Sequence, residues 1–170
     1  PHPIRFDGSQ PAAEHGHQVH IGPMYSDCRG SVKIKSTDPK EHPALRFNYL
    51  STETDRREWI EMIRIARRIL NQPAFETFND GEISPAPSVE TDQEIIDWVA
   101  KDADTALHPS STARLGTGEM IVLDPTNLRV HGVEGLRVVD SSSMPYVPKR
   151  NTCAPTLTLA EHAAAPPLHP

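Results

Sequence analysis

Proline is the residue that most constrains how this chain can fold. It occupies 17 of the 170 positions, whereas aromatic side chains make up only 5% of the residues. Because proline fixes its own φ angle and has no backbone N–H to donate, it interrupts helices and central strands. We therefore expect many loops and few large core side chains, in a chain that is long enough for one domain.

Two stretches without proline carry the periodicity of amphipathic helices. Apolar residues recur at steps of three and four between Trp59 and Leu70, which predicts a helix that begins after Ser51. A second helix is predicted to begin at Thr91, because Glu94 follows it at the spacing of a capping box.

Two shorter stretches alternate apolar and polar residues, as half-buried strands do. Val32 and Ile34 alternate with lysines within residues 28–36, and a similar alternation occurs in residues 45–50. An antiparallel pair is the simplest arrangement, because a turn sequence separates the two stretches. Since two strands cannot bury themselves, we expect the helix after Ser51 to cover them in an α+β fold.

The last third of the chain places polar residues of chemical interest beside predicted strands and helices. His108 precedes Pro109, which pushes it toward extended geometry and restrains it. Residues 135–140, GLRVVD, have the pattern of a buried strand that ends at a carboxylate. Asn151 is followed by an apolar run with a proline near its start, so a helix is predicted to begin near Ala154.

Three segments of this region, HPSSTARLG, LRVHGVEGLRVVDSSSMP and NTCAPTLTLAE, closely resemble the C-terminal signature of the glucose-methanol-choline (GMC) family of flavin oxidoreductases. Upstream segments such as EHGHQVHIGPM and EISPAPSVETDQEIIDWV resemble the choline dehydrogenase branch of that family. The resemblance extends from Ile4 to Ala164. It implies FAD-dependent oxidation of choline to betaine aldehyde, for glycine betaine synthesis, with a proton removed from the hydroxyl and hydride transferred to flavin N5.

The resemblance also predicts how the chain is divided. A GxGxxG fingerprint, the usual cradle for the FAD pyrophosphate, does not occur in the sequence, and the family carries it in its N-terminal part. Residues 1–104 then correspond to a portion of the substrate-binding domain. Residues 105–170 correspond to a strand-helix segment that completes an FAD-binding domain otherwise absent. We expect the isolated chain to bind no FAD tightly and to be inactive.

The same resemblance assigns two catalytic residues. His108 corresponds to the base that takes the hydroxyl proton, and histidine, with an ordinary pKa of about 6.5, suits proton transfer near neutral pH. Asn151 corresponds to its partner, whose amide orients the alcohol oxygen. From the residues alone, a structural histidine at a strand end would be favoured. Asn151 could also cap the helix, a role compatible with catalysis.

The cofactor contacts that the resemblance implies lie at two places. Asp140 and Ser141 match positions that approach the ribityl chain and pyrophosphate of FAD, although an aspartate here could instead form a turn. The start of the last helix matches positions next to the flavin, where N–H groups would stabilise the negative charge of the reduced ring. The residues expected there are Thr152, Cys153, Pro155 and Thr156.

Charge and hydropathy exclude other classes of function. The net charge of −6 and the pI near 5.8 argue against a nucleic-acid-binding protein. No apolar run approaches the roughly 18 residues of a membrane span, and no signal peptide is recognised, so we expect a soluble chain. The resemblance implies a cytoplasmic enzyme that can associate peripherally with the membrane. Its partner would be a small alcohol, and its electron acceptor is left open.

The cysteines and histidines allow two further interpretations. His15, His17 and His20 form an HxHxxH pattern that could indicate zinc, but no cysteine or carboxylate completes the set, so no metal is predicted. Cys28 and Cys153 are isolated and are expected to be reduced thiols. Two alternatives stay open: a GMC dehydrogenase or oxidase for another primary alcohol, and a non-catalytic chain that binds a metal or a partner.

Overall fold

The computed structural model describes residues 16–165, which form two compact units. The first unit comprises residues 16–28 and 48–105, and the second comprises residues 29–47 and 106–165. The regular elements are, in chain order, β1 (Ser31–Lys33), β2 (Ala44–Arg46), α1 (Glu53–Leu70), α2 (Asp92–Asp102) and α3 (Cys153–Ala164), with 3-10 turns at Pro73–Phe78 and Ser141–Ser143.

The predicted helix after Ser51 is confirmed as α1, and it forms the core of the first unit with α2. The hydroxyl of Thr52 caps α1 by accepting the backbone N–H of Asp55. The core consists of Ile63 on α1 and of Ile95 and Val99 on α2, all of them buried. Complete burial of a side chain of this size stabilises a fold by about 1.5–3 kcal/mol. The two helices therefore hold each other through one apolar face each.

The capping box at the start of α2 is also confirmed. The Thr91 hydroxyl accepts the backbone N–H of Glu94 at 3.3 Å, and the Glu94 carboxylate accepts the N–H of Thr91 at 2.9 Å. The N–H of Glu90 donates to the same carboxylate at 3.1 Å. The bond from the Thr91 N–H, then the bond from Glu90, lowers the pKa of Glu94 below its ordinary value, because both bonds favour the ionised form.

A buried carboxylate fixes the entry to α1. Asp55 is 2% exposed and accepts the backbone N–H of Leu50 at 2.8 Å and the thiol of Cys28 at 3.1 Å. The cap residue Thr52 in turn donates its hydroxyl to Asp27. Because a buried charge must be compensated by hydrogen bonds, these contacts tie the loop before residue 29 to the first turn of the helix.

The predicted antiparallel pair is confirmed, but the prediction that a helix covers it is wrong. β1 and β2 pair with Val32 opposite Leu45, and each strand is only three residues long. All six strand residues are exposed, with Val32 51% and Leu45 58% accessible. The apolar face of α1 packs against α2 instead, because Ile95 and Val99 offer it a complementary apolar surface.

The buried strand predicted at residues 135–140 is likewise wrong. Within it, only Arg137 forms a bridge, opposite Arg129, and Leu136 is 47% exposed. The backbone turns tightly at Gly135, where φ is +72°, so the segment has no long ladder of paired residues. The buried apolar residues of this unit are instead Leu123, Leu128 and Met144.

One of the boundaries between the two units lies between residues 105 and 106. Residues 106–165 belong to the second unit, which also takes in residues 29–47. The identification of residues 1–104 with a substrate-binding domain and of residues 105–170 with the closing segment of an FAD domain stays a prediction.

None of the helices between residues 16 and 165 is long and apolar enough to cross a membrane.

Candidate active site

The segment after His108 is held by the 3-10 turn at Ser141–Ser143. The backbone N–H groups of Ser111, Ala113 and Leu115 donate in turn to the carbonyls of Ser141, Ser142 and Ser143, at 3.2, 3.0 and 3.0 Å. Two sequences that the family resemblance had singled out, HPSSTARLG and DSSSMP, are therefore paired by backbone hydrogen bonds. This pairing fixes where the chain leaves His108.

Asp140 caps that turn from the position just before it. Its carboxylate accepts the backbone N–H of Ser142 at 2.7 Å, and its own N–H donates to the Ser143 hydroxyl at 3.3 Å. The Ser141 hydroxyl donates to the carbonyl of Pro109 at 3.3 Å, next to His108 in the chain. The turn-forming role considered for Asp140 is therefore present. Its Oδ2 atom has no hydrogen-bond partner among residues 16–165.

The imidazole of His108 is anchored at one nitrogen. Its Nδ1 atom lies 3.0 Å from the hydroxyl oxygen of Thr152, the residue that precedes α3. Thr152 is 8% exposed, whereas His108 is exposed. The Nε2 atom has no hydrogen-bond partner within the described part of the chain. The ring therefore has one fixed nitrogen and one nitrogen that is open to a ligand.

Asn151 caps α3 and keeps its donors available. Its Oδ1 atom accepts the backbone N–H of Cys153 at 2.9 Å, whereas the Thr152 side chain makes no capping bond to the helix. The amide N–H groups of Asn151 have no partner between residues 16 and 165. The structure thus places both predicted catalytic residues at the start of α3: Asn151 by sequence, and His108 through its bond to Thr152.

The first turn of α3 offers fewer backbone donors than an ordinary helix start. The N–H of Cys153 is used by Asn151, Pro155 has no N–H, and the N–H of Thr156 bonds to the carbonyl of Thr152 at 3.0 Å. Among the described residues, the N–H of Ala154 has no partner. One donor and the positive end of the helix dipole therefore remain for an anionic or polarised group.

A groove of about 490 Å³ follows a different side of α3. Of the predicted site residues, only Pro155 lines it, and it contains neither His108 nor Asn151. It is wide open to solvent and mostly apolar. We therefore do not identify it with the site of the chemistry. The residues that line it are Arg150, Ala154, Pro155, Thr158, Leu159 and His162.

The described residues do not assemble a metal centre. No group of three histidine, cysteine, aspartate or glutamate side chains between residues 16 and 165 is placed to hold an ion. Of the HxHxxH pattern, His15 lies outside the described residues, and His17 stacks on Phe75 with ring centroids 6.2 Å apart. Neither Cys28 nor Cys153 forms a disulfide within the described residues.

The pattern-based prediction missed the contact on which the site depends. The hydroxyl of Thr152, a residue also expected among the cofactor contacts, bonds to His108, 44 residues away in sequence. No spacing or periodicity signals such a contact. Its only local sign is that Thr152 directly follows Asn151. The cofactor contacts expected of Asp140, Ser141, Thr152, Cys153, Pro155 and Thr156 stay predictions.

Comparisons with known proteins identify the family to which the chain is related. Residues 26–160 match the family described as GMC oxidoreductase. Over 163 residues, 95% of the chain, the sequence is 58% identical to the oxygen-dependent choline dehydrogenase of Staphylococcus aureus strain JH9, and equally to that of strain Newman. The chain spans only 29% of the length of these relatives.

Solved structures show the same relationship. A pyridoxine 4-oxidase from Mesorbium loti superposes with a TM-score of 0.78 at 28% identity, over 83% of this chain and 27% of that chain. A fungal aryl-alcohol oxidase gives a TM-score of 0.68 at 29% identity, over 83% of this chain and 23% of that chain.

Proposed function

Because this chain belongs to the GMC oxidoreductase family, we propose that it carries the alcohol-activating residues of an FAD-dependent enzyme that oxidises choline to betaine aldehyde. The observation that carries the proposal is the 3.0 Å bond between His108 Nδ1 and the hydroxyl of Thr152. This bond ties the expected base to the residue that directly follows Asn151 in the chain. The 58% identity to proteins named choline dehydrogenase supports choline as the substrate.

His108 would receive the hydroxyl proton. Oxidation of an alcohol removes a proton from oxygen and a hydride from carbon, so a base must face the oxygen. The Nε2 atom of His108 has no other partner in the described chain and can accept that proton. A base held in position contributes about 10²- to 10⁴-fold to the rate.

Asn151 would hold the oxygen itself. Its Oδ1 atom is used by the Cys153 N–H, so the part of the amide left for a ligand is the donating NH₂ group. An alcohol oxygen can accept from this group while its proton points to His108. As the proton leaves, the oxygen gains negative charge, and the bond from the amide strengthens. The pair thus has one acceptor and one donor, which matches a hydroxyl group.

The residues at the start of α3 fit the edge of FAD, which supplies the hydride acceptor when bound. The Ala154 N–H and the positive end of the helix would face a part of the flavin that gains electron density. The Oδ2 atom of Asp140, which has no partner in the described part of the chain, can accept a hydroxyl of the ribityl chain. Ser141, Thr152, Cys153, Pro155 and Thr156 are assigned to the same surroundings.

Oxidation of another primary alcohol is the main alternative. The solved structures that resemble this chain include a pyridoxine 4-oxidase and an aryl-alcohol oxidase, so a similar fold occurs in enzymes named for different alcohols. The electron acceptor is then oxygen or another oxidant. The role in glycine betaine synthesis, the cytoplasmic location and a peripheral contact with the membrane depend on the choline assignment.

Substrate profiling of the whole polypeptide that contains this chain tests the proposal. Anaerobic addition of choline to the FAD-loaded protein should bleach the oxidised flavin band and release betaine aldehyde. Benzyl alcohol, pyridoxine and ethanol serve as competing substrates. If one of these alcohols is turned over rapidly and choline is not, that alcohol and not choline is the substrate. Reduction by none of the four would overturn the enzymatic proposal. The chain of 170 residues by itself should show no flavin band.

A further inference from the structure

We propose that Thr152 is a positioning residue that accepts the Nδ1–H of His108 and so keeps Nε2 as the unprotonated, substrate-facing nitrogen. The inference rests on the proposed function, because it gives the tautomer that a base at Nε2 requires. The observation behind it is the 3.0 Å distance between the Thr152 hydroxyl oxygen and His108 Nδ1.

The tautomer follows from the chemistry of imidazole. A neutral ring carries one proton, on either Nδ1 or Nε2, and only the other nitrogen can accept. A hydroxyl can donate to Nδ1 or accept from it. If it donated, Nε2 would hold the proton and His108 could not act as a base there. If it accepts, Nε2 is free, and the same bond persists after the ring takes up the substrate proton.

Thr152 is a firm anchor for this bond. It is 8% exposed, and its carbonyl accepts both the backbone N–H and the hydroxyl of Thr156, at 3.0 and 2.7 Å. Its β-branched side chain has few rotamers. The Thr152 hydroxyl makes no bond to the N–H groups of α3, so His108 is its one hydrogen-bond partner in the described chain.

His108 depends on that anchor because packing does not hold it. The ring is exposed, and the preceding Leu107 is 65% exposed with a φ of +59°, so an apolar pocket does not enclose this part of the chain. Within residues 16–165 the Thr152 hydroxyl makes the ring's one hydrogen bond. Without it, the imidazole would rotate about χ1 and χ2 and would exchange tautomers.

Three variants of the whole FAD-loaded polypeptide separate this role from a structural one. Thr152→Val keeps the shape and removes the hydroxyl. It should lower kcat for the best alcohol substrate about 10- to 100-fold, the size of effect that loss of orientation produces, with KM nearly unchanged. Thr152→Ser keeps the hydroxyl and should retain most of the rate. Thr158→Val removes another α3 hydroxyl, whose one hydrogen bond among residues 16–165 goes to the carbonyl of Ala154, and it should leave kcat unchanged.

The closing experiment is ¹⁵N NMR of His108 in the wild type and in Thr152→Val, assigned by comparison with His108→Gln. The wild type should show the Nδ1–H tautomer, and Thr152→Val should shift the population toward Nε2–H. A wild-type ring protonated at Nε2, or a tautomer that Thr152→Val does not change, would overturn the inference. The NMR result does not require turnover. Failure of the proposed function would instead appear as a wild type whose flavin is reduced by none of the alcohols tested. The two failures are therefore distinct.

Discussion

Asn151 accepts the backbone N–H of Cys153 at 2.9 Å, so one side chain both caps α3 and presents amide donors to the open side of the helix start. The two roles use different atoms of the amide, and they can be separated by substitution. Asn151→Asp keeps the capping oxygen and places a negative charge at the positive end of the helix, which favours the fold. It removes the donating NH₂ group.

We expect Asn151→Asp to retain the thermal stability of the wild type and to lose about 10- to 100-fold in kcat/KM, because a carboxylate repels the oxygen as it becomes negative. Asn151→Ala should lose both properties, with a cost of about 1 kcal/mol in the free energy of unfolding for the missing cap. Melting curves and initial rates measure the two effects separately. Full activity in Asn151→Asp would remove Asn151 from the catalytic pair.

Asp55 gives a prediction on stability that is independent of catalysis. Replacement by alanine leaves the partly buried N–H of Leu50 without its acceptor and also removes the carboxylate to which the thiol of Cys28 donates. We expect Asp55→Ala to lower the free energy of unfolding by about 2–4 kcal/mol. Glu53, an exposed acidic residue in the same helical turn, is the matched control, and Glu53→Ala should cost less than about 1 kcal/mol. If urea titrations show equal losses of unfolding free energy in Asp55→Ala and Glu53→Ala, Asp55 acts only through the helix dipole.

Glu94 gives a prediction on pH. Its pKa in the folded chain is lowered below 4.5 because the N–H groups of Thr91 and Glu90 stabilise the carboxylate. A lowered folded pKa contributes stability that is present above the unfolded value and is lost as the pH falls through the folded value. Glu94→Gln should therefore be less stable than the wild type at pH 6, and the difference should narrow as the pH is lowered below 4.5. A constant difference across this range would show that the ionised carboxylate is not its source.

Sequence patterns correctly predicted the helices, whose formation depends on interactions between residues close together in the chain. The apolar steps from Trp59 to Leu70 and the Thr91–Glu94 spacing predicted α1 and α2, because helix periodicity and capping involve residues a few positions apart. The start of α3 was also close, at Cys153 rather than near Ala154.

The features that the sequence did not predict depend on contacts between residues far apart in the chain. Alternation predicted β1 and β2 but could not show that both faces of the pair are exposed, since α1 packs on α2 instead. GLRVVD had the composition of a buried strand, yet it pairs at only one bridge. Neither the thiol of Cys28 on Asp55 nor the Thr152 hydroxyl on His108 has a signature in the sequence, because the partners are 27 and 44 residues apart.

The rate of flavin reduction by choline in His108→Gln tests the central claim most directly. The variant should be compared with the wild type and with His42→Gln, which changes an exposed histidine on the loop between β1 and β2. If His108 is the base, the rate falls by about 10²- to 10⁴-fold, the FAD content stays that of the wild type, and His42→Gln is unaffected. A His108→Gln enzyme that reduces its flavin at the wild-type rate would contradict the account.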